Sequence, residues 1–441
     1  MSDQGEVITI DNEKQVNTSI YRDRLLTVLK QAFTALDPEH LVAECTEKLL
    51  SGKSKYGHVY VIGFGKASLK MYEGIRNITS GISSYSAIII PEGQEAATKY
   101  PELELLRGNH PIPAQDTLTS SRKMMNGLSI LNEDDLVLVL VSGGGSALFE
   151  IPEEIFSIDS IAETAKCLMN SGADIHELNA VREAMSSVKG GKLAKRLYPA
   201  EVHGFIISDV PGDDPSVIAS GPLTKPSYSP DFFKKVLEKY SDSCDLDGVA
   251  KIPDRSNIVE ARFFQKVTTR LILKNRDFVD MIGTHIGDPG EKVVTLPEPI
   301  TGDVVETAEW FADRMRKEYR KSGNPIWIIG GGETTAKVVG KGKGGRNCEL
   351  ALRVALNMEK EENYLFASLG TDGIDGVSPA MGGISDTSLV NTVTREEIQN
   401  SLNFSDSYNL LNKYNSAIIT GYTGTNVSDI FVAYYGGKNE G

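Results

Sequence analysis

What most constrains this chain is where its apolar runs stop. Runs at 58–62, 87–90, 136–141, 202–207, 271–273, 292–296, 326–329, 364–367 and 417–420 are only strand-sized, and most break off at a corner rich in glycine or proline. Between many of them lie segments of helical length, at 115–131, 158–169, 231–239, 307–320 and 348–358. Short strands alternating with helices predict α/β architecture with largely parallel sheets. Such sheets bind ligands just beyond the carboxyl ends of their strands, so chemistry is to be sought in the corners. Ahead of the first strand, Leu25, Leu26, Leu29, Phe33 and Leu36 recur at helical spacing, and Pro38 opens a second helix.

The length, 441 residues, suggests two or three domains. Polar, Gly- and Pro-containing stretches at 241–254 and 296–302 place a boundary between them. The expected division is a mobile tail over 1–18, an N-terminal domain over 19–265 and a C-terminal domain over 266–441. The formal net charge of −14 disfavours nucleic acid and anionic membrane as partners. If the ligands are anions, the basic groups that hold them must therefore be locally concentrated. Cys45, Cys167, Cys244 and Cys348 form no C-x-x-C pair, so neither a zinc site nor a disulfide framework is indicated, and reduced thiols in a cytoplasmic protein are expected. The polar, acidic start lacks the basic residues and apolar run of a signal peptide, and no apolar run reaches membrane-spanning length.

The corners differ in what they offer. Gly63-Phe64-Gly65-Lys66-Ala67-Ser68 follows a strand, with two glycines for a tight turn and Lys66 at a helix start, where free N–H groups favour anions. It is not a Walker A loop, because Tyr60 stands at the first required glycine. Ser142-Gly143-Gly144-Gly145-Ser146 exposes backbone N–H groups and two hydroxyls suited to a carboxylate or phosphate. Arg182, Lys189 and Lys192 flank a Gly190-Gly191 break. Asp209, Asp213 and Asp214 lie within six residues, a spacing open to Mg²⁺ or simply to Asx turns and a helix cap. Gly332-Glu333-Thr334-Thr335 leads into a cationic glycine run ending at Arg346-Asn347, where the guanidinium can make a forked contact to an anion. Asp372, in Gly370-Thr371-Asp372-Gly373, suits a base or a metal ligand. The last corner, 421–426, supplies small and hydroxyl residues. His110, between Asn109 and Pro111, reads as structural.

The ordered set of motifs resembles the class II glycerate 2-kinases, whose C-terminal part is called the MOFRL domain. Gly63-Phe64-Gly65-Lys66-Ala67, Gly108-Asn109-His110-Pro111, Ser142-Gly143-Gly144-Gly145-Ser146 and Lys189-Gly190-Gly191-Lys192-Leu193 come first. Ser208-Asp209-Val210, Ala219-Ser220-Gly221-Pro222, Gly332-Glu333-Thr334-Thr335, Gly344-Gly345-Arg346-Asn347 and Gly370-Thr371-Asp372-Gly373 continue the series. The resemblance spans about residues 20–435. It implies two α/β domains, the N-terminal one Rossmann-like, with the active site in the interdomain cleft. It implies transfer of the γ-phosphoryl of ATP, with Mg²⁺, to the 2-hydroxyl of D-glycerate, giving 2-phosphoglycerate and ADP. Lys66 and Arg346 carry over as the anion and phosphoryl contacts.

Combining motif chemistry with the resemblance, Lys66, Arg346 and Asp372 are the expected catalytic residues. Lys66, Arg346 and Ser142, Gly143, Gly144, Gly145 and Ser146 are expected to bind the acceptor. Lys189, Lys192, Gly332, Glu333, Thr334 and Asn347 are expected to meet the nucleotide, and Asp209 and Asp213 the metal. The expected partners are small molecules, and a homodimer is compatible with the pattern. Two positions depart from the family: Cys348 where relatives tend to have Gln, and Ser378-Pro379 where many have Thr-Asp, the latter bearing on the acceptor pocket. The rival reading, an NAD(P)-dependent hydroxypyruvate reductase, lacks a G-x-G-x-x-G followed by an acidic residue about 20 positions on, since Ser68 occupies the third glycine position.

Overall fold

The computed structural model describes residues 7–52, 56–94, 100–128, 130–226, 228–251 and 260–438. The chain forms two compact units, Pro38–Leu273 and the combination of Met1–Asp37 with Lys274–Gly441.

The Pro38–Leu273 unit is built on six strands: β1 (Val59–Phe64), β2 (Ser83–Pro91), β3 (Glu104–Gly108), β4 (Leu136–Val141), β5 (Glu201–Ile207) and β6 (Val267–Leu273). Their order is β3-β2-β1-β4-β5-β6 and every pairing is parallel. This is the doubly wound 3-2-1-4-5-6 order, in which the winding reverses between β1 and β4 and opens a crevice at their carboxyl ends. The central strands β1 and β4 are buried at every residue, which is why Leu136–Val141 reads as an uninterrupted apolar run. The edge strand β6 is mostly half-exposed, so threonine and arginine are tolerated there. Beside the sheet a helical cluster packs Ile161, Ala165 and Leu168 against Leu178, Val181 and Met185, together with Val236 and Tyr240.

That cluster holds a disulfide between Cys167 and Cys244. The expectation of reduced thiols is corrected here. The two cysteines are 77 residues apart, Cys167 on the helix Ile158–Asn170 and Cys244 in the turn after the helix Pro230–Tyr240, and only packing brings them together, a pairing that spacing does not encode. Cys45 and Cys348 remain free.

The second unit has a seven-stranded sheet of β7 (Lys292–Thr295), β8 (Ile300–Asp303), β9 (Ile326–Thr335), β10 (Glu362–Gly370), β11 (Gly382–Asp386), β12 (Ala417–Ile418) and β13 (Asp429–Lys438). The order is β12-β11-β10-β13-β9-β7, with β8 also on β9. Only the β7–β9 and β8–β9 pairs are parallel, and the rest are antiparallel. Largely parallel pairing thus describes the first sheet and not this one. A parallel crossover needs a dozen or more residues, usually a helix. The link from β10 to β11, residues 371–381, contains no helix, and the chain doubles back.

The N-terminal helix Ile20–Ala35 belongs to this second unit rather than to the domain that follows it in sequence. Its Arg22 is buried and bonds Asp386 at 2.7 Å, the Asn415 carbonyl at 2.7 Å and Ser416 Oγ at 3.0 Å. Tyr21 stacks on Tyr434 with ring centroids 4.0 Å apart. The mobile tail expected over 1–18 is also corrected from residue 7 onward; residues 1–6 lie outside the described residues. Ile8 and Ile10 are buried, and a short helix runs over Glu13–Val16. Asn12 both donates to the Ala417 carbonyl (2.8 Å) and accepts from the Ile419 amide (3.1 Å), closing the edge beside β12. Among the described residues no helix is long and apolar enough to cross a membrane.

Candidate active site

In the parallel-sheet unit, the corners after β1 and β4 are locked to each other at the switch point. Lys66 N–H donates to the Gly143 carbonyl at 2.9 Å, and Ala67 N–H donates to Ser142 Oγ at 3.0 Å. Gly65 has φ +128°, and a Cβ there would stand 2.2 Å from Ser142 Oγ, so this close approach requires glycine. Ser142 is therefore a buried brace rather than a ligand hydroxyl. Lys66, Gly144 and Ser146 are the partly exposed members of the pair of corners. The His110 ring lies against Gly144, whose Cβ would come within 3.0 Å of its Cδ2 and Nε2, and a cavity of about 450 Å³ opens beside it along Glu92, Asn109 and Ile112.

Lys189 and Lys192 turn inward. Lys189 Nζ donates to the carbonyls of Ser146 (2.8 Å) and Phe149 (2.9 Å) and lies 3.3 Å from buried Glu150. Burial pushes its pKa down, with Glu150 opposing. Lys192 Nζ donates to the carbonyls of Glu183 (2.8 Å) and Ser186 and pairs with Glu153 at 2.9 Å. Both ammonium groups hold backbone turns. The Gly190-Gly191 break is pinned as well, its N–H groups donating to Ser220 and Gly221 carbonyls at 3.0 and 2.8 Å.

After β5, Asp209 is partly exposed, and Asp213 takes a positive φ of 54°. Asp214 accepts from Ser216 N–H at 2.8 Å in an Asx turn. Among the described residues no group of three or more His, Cys, Asp or Glu side chains converges as a metal site. Mg²⁺ commonly takes only one or two carboxylates and completes its shell with substrate phosphates and water. Asp209 and Asp213 are carboxylates of the type that such ligation uses.

In the mixed-sheet unit, the ends of β9 and β10 flank the start of β13, with Asp429 paired in register to both Gly332 and Gly370. The helix Arg346–Asn357 points its first residues at this spot. Arg346 forks onto Asp429, Nε–Oδ2 at 2.6 Å and Nη2–Oδ1 at 3.0 Å, while Nη1 reaches Glu333 at 2.8 Å. Asn347 donates to Asp429 (3.0 Å) and accepts from Ser368 Oγ (2.5 Å). Asp375 accepts the free amides of Asn347 (3.0 Å) and Cys348 (2.8 Å), capping the helix. A Cβ on Gly345 would stand 2.3 Å from Asp375, so the glycine keeps that cap in place.

Burial raises the Asp429 pKa to about 6, and Arg346 and Asn347 keep it from rising further. Burial also works against the Arg346 charge, but Asp429, Glu333 and Asp375 outweigh it and push its pKa up. The guanidinium is firmly cationic, and its side chain stays 34% exposed against 0% for Asp429. Asp372 is partly exposed, its carboxylate accepting Ile374 N–H at 3.2 Å. The last corner is laced to it: Thr423 N–H donates to the Asp372 carbonyl at 3.3 Å and Thr423 Oγ1 to the Thr371 carbonyl at 2.5 Å.

The expected residues of this unit thus divide. Glu333, Arg346 and Asp372 present side chains at the surface of the corner. Thr334 and Asn347 are buried, and a Cβ on Gly332 would meet the Ile300 carbonyl at 2.0 Å, so these three shape the corner from within. The cationic run 340–345 is pinned rather than loose, with Gly342 N–H on the Phe404 carbonyl (2.9 Å) and Lys343 N–H on Asp406 (2.8 Å). Ser378 is buried and donates to the Asp375 carbonyl at 2.8 Å, so this departure serves a turn. Cys348 is buried too, and burial pushes its thiol well up. Sequence reasoning missed Asp429, although an acid opening the apolar run of β13 signals a buried carboxylate that needs a cation. It also missed Glu150 beside Lys189.

The chain matches the family described as a domain of unknown function (DUF4147) over residues 24–250 and the MOFRL family over 326–429. It is 44% identical over 429 residues to a glycerate 2-kinase of Picrophilus torridus, covering 97% of this chain and 100% of that protein. A relative from Agrobacterium vitis, 30% identical over 85% of this chain and 98% of its own, carries a provisional hydroxypyruvate reductase name. Among solved structures, the glycerate kinase of Thermotoga maritima superposes with a TM-score of 0.78 at 32% identity, covering 94% of this chain and 99% of that one.

Proposed function

The chain belongs to the glycerate 2-kinase family, and we propose from this that it transfers the γ-phosphoryl group of ATP to the 2-hydroxyl of D-glycerate, releasing 2-phosphoglycerate and ADP. The observation that carries the reading to this chain's own residues is the Arg346–Asp429–Glu333 arrangement: a cation fixed by a buried carboxylate yet left partly open to a ligand.

Phosphoryl transfer needs little covalent help; it needs positioning and positive charge around the moving group. Arg346, prepositioned by Asp429 and Asn347, neutralises charge on the transferring phosphoryl group without reorganising. Glu333, on the opposite side of the guanidinium, yields its place to the more highly charged phosphate. Lys66 and the partly exposed Gly144 and Ser146 of the turn after β4 hold the hydroxy acid. Asp372 orients the acceptor hydroxyl and takes its proton. Lys189 and Lys192 act at one remove, keeping the Ser146 turn and the Gly190-Gly191 break in shape. Asp209 and Asp213 are the carboxylates that would hold Mg²⁺, which would offset phosphate charge.

The test is an assay with D-glycerate, Mg²⁺ and ATP in which product is coupled to enolase. Signal without added phosphoglycerate mutase identifies 2-phosphoglycerate. ADP formation absent, with NAD(P)H consumed on hydroxypyruvate instead, overturns the proposal in favour of the reductase.

A further inference from the structure

We propose that Arg182 reads the carboxylate of the acceptor, an inference that rests on the kinase reading above and names a binding residue it does not include. Arg182 lies on the helix Ile175–Met185, which a reciprocal cap between Asp174 and Glu177 starts firmly. One face of that helix is tied to the glycine-rich corner after β4. Asn179 Nδ2 donates to the Val217 carbonyl at 3.1 Å, and its Oδ1 accepts from Ser220 Oγ at 2.9 Å. Ser220 Oγ in turn lies 3.0 Å from Ser146 Oγ. Arg182 is three residues after Asn179, on the same face, and helical side chains lean toward the N-terminus, so its stem runs back over the Asn179 turn. Lys189 approaches from the other side: it feels the Arg182 charge as repulsion, and its own Nζ sits on the Ser146 carbonyl at 2.8 Å. The helix face that carries Arg182 is thus tied to the Ser146 turn, and its charge is felt by the lysine seated on that turn.

Its charge is not spent within the protein. Among the described residues the Arg182 guanidinium makes no hydrogen bond and no ion pair, although the side chain is only partly exposed. Glu150 attracts it, but that carboxylate lies against Lys189 at 3.3 Å, at an angle that leaves both its oxygens without a hydrogen bond. An arginine cannot shed its proton to escape such a setting. A planar fork of donors, partly withdrawn from water, is matched by a carboxylate, which takes two parallel N–H bonds. The acceptor's permanent anion is its carboxylate, and the neighbouring turn is the one assigned to the acceptor.

The experiment compares wild type with Arg182→Met and Arg182→Lys, using D-glycerate and its neutral carboxamide analogue, glyceramide, as acceptors. Arg182→Met raises KM for glycerate roughly 10- to 100-fold, the size of a charge-assisted hydrogen bond, and leaves KM for ATP unchanged. The preference for carboxylate over carboxamide falls by the same factor, and Arg182→Lys recovers part of it. A purely structural role as counter-ion to Glu150 makes a different forecast: the double variant Arg182→Met with Glu150→Gln restores the glycerate KM. That restoration, or an unchanged carboxylate preference in Arg182→Met, overturns the inference. Wild type with no ADP formation on glycerate would instead overturn the kinase reading, so the two failures are distinguishable.

Discussion

Lys189 and Arg346 are both cations set against a buried carboxylate, one in each unit, and they differ in what remains exposed. The Lys189 side chain is 2% exposed, its donors end on two backbone carbonyls, and its charge lies 3.3 Å from Glu150. The Arg346 side chain is 34% exposed, fixed along one edge by Asp429 while another nitrogen meets a half-exposed Glu333. A compact ammonium can be enclosed by three oxygens, whereas a guanidinium forked onto one carboxylate still has donors to offer. The comparison teaches that a basic residue inside a glycine-rich motif is not thereby a ligand contact.

Substitution separates the two roles. Arg346→Ala is expected to lower kcat by about 10²–10³-fold or more, as loss of a prepositioned charge stabiliser does, and also to lower stability, because Asp429 is left buried without its cation. If activity survives, the contrast with Lys189 collapses. Lys189→Met should act on stability without that direct loss of kcat, costing about 3–5 kcal/mol in urea unfolding because Glu150 is left buried without its nearest cation. A stable Lys189→Met protein with a raised KM for ATP would return Lys189 to the nucleotide.

The pH dependence sharpens the same pair. The Asp429 carboxyl, raised to about 6 by burial, sits above its unfolded value. Its stabilising contribution is thus complete at low pH, below the unfolded pKa, and is lost as pH rises through about 6. The grip on Arg346 requires the ionised form, so activity should rise over the same window. Asp429→Asn should remove that limb from the kcat/KM profile and flatten the opposing limb in stability.

Smaller effects concern the scaffold. Reducing the Cys167–Cys244 disulfide, or replacing Cys167 with Ser, is expected to cost about 2–4 kcal/mol by calorimetry or urea unfolding. Ser142→Ala removes the acceptor for Ala67 N–H and should cost about 1 kcal/mol, a shift of roughly 2–4 °C in Tm.

Much of the fold was legible because β1 and β4 are covered on both faces, and continuous apolar runs ending in glycine announce that situation. The corner after β1 was legible for the same reason, since close approach to Ser142 admits only Gly65. The internal engagement of Lys189, Lys192, Thr334 and Asn347 was not. Motif position shows that a residue is near a strand end, and the direction in which its side chain turns depends on which carbonyls and carboxylates pack beside it.

By itself the sequence determined the alternation of strands and helices, the corners where chemistry gathers and the family to which the chain belongs. These follow from local spacing and from motifs in order. Tertiary structure alone decided that residues 7–37 complete the second unit, that Cys167 meets Cys244, that β10, β11 and β13 run antiparallel, and that the distant Asp429 forks onto Arg346. Apart from the short β10–β11 link, each joins residues far apart in the chain, where pairing depends on packed surfaces and buried charge that no local pattern carries.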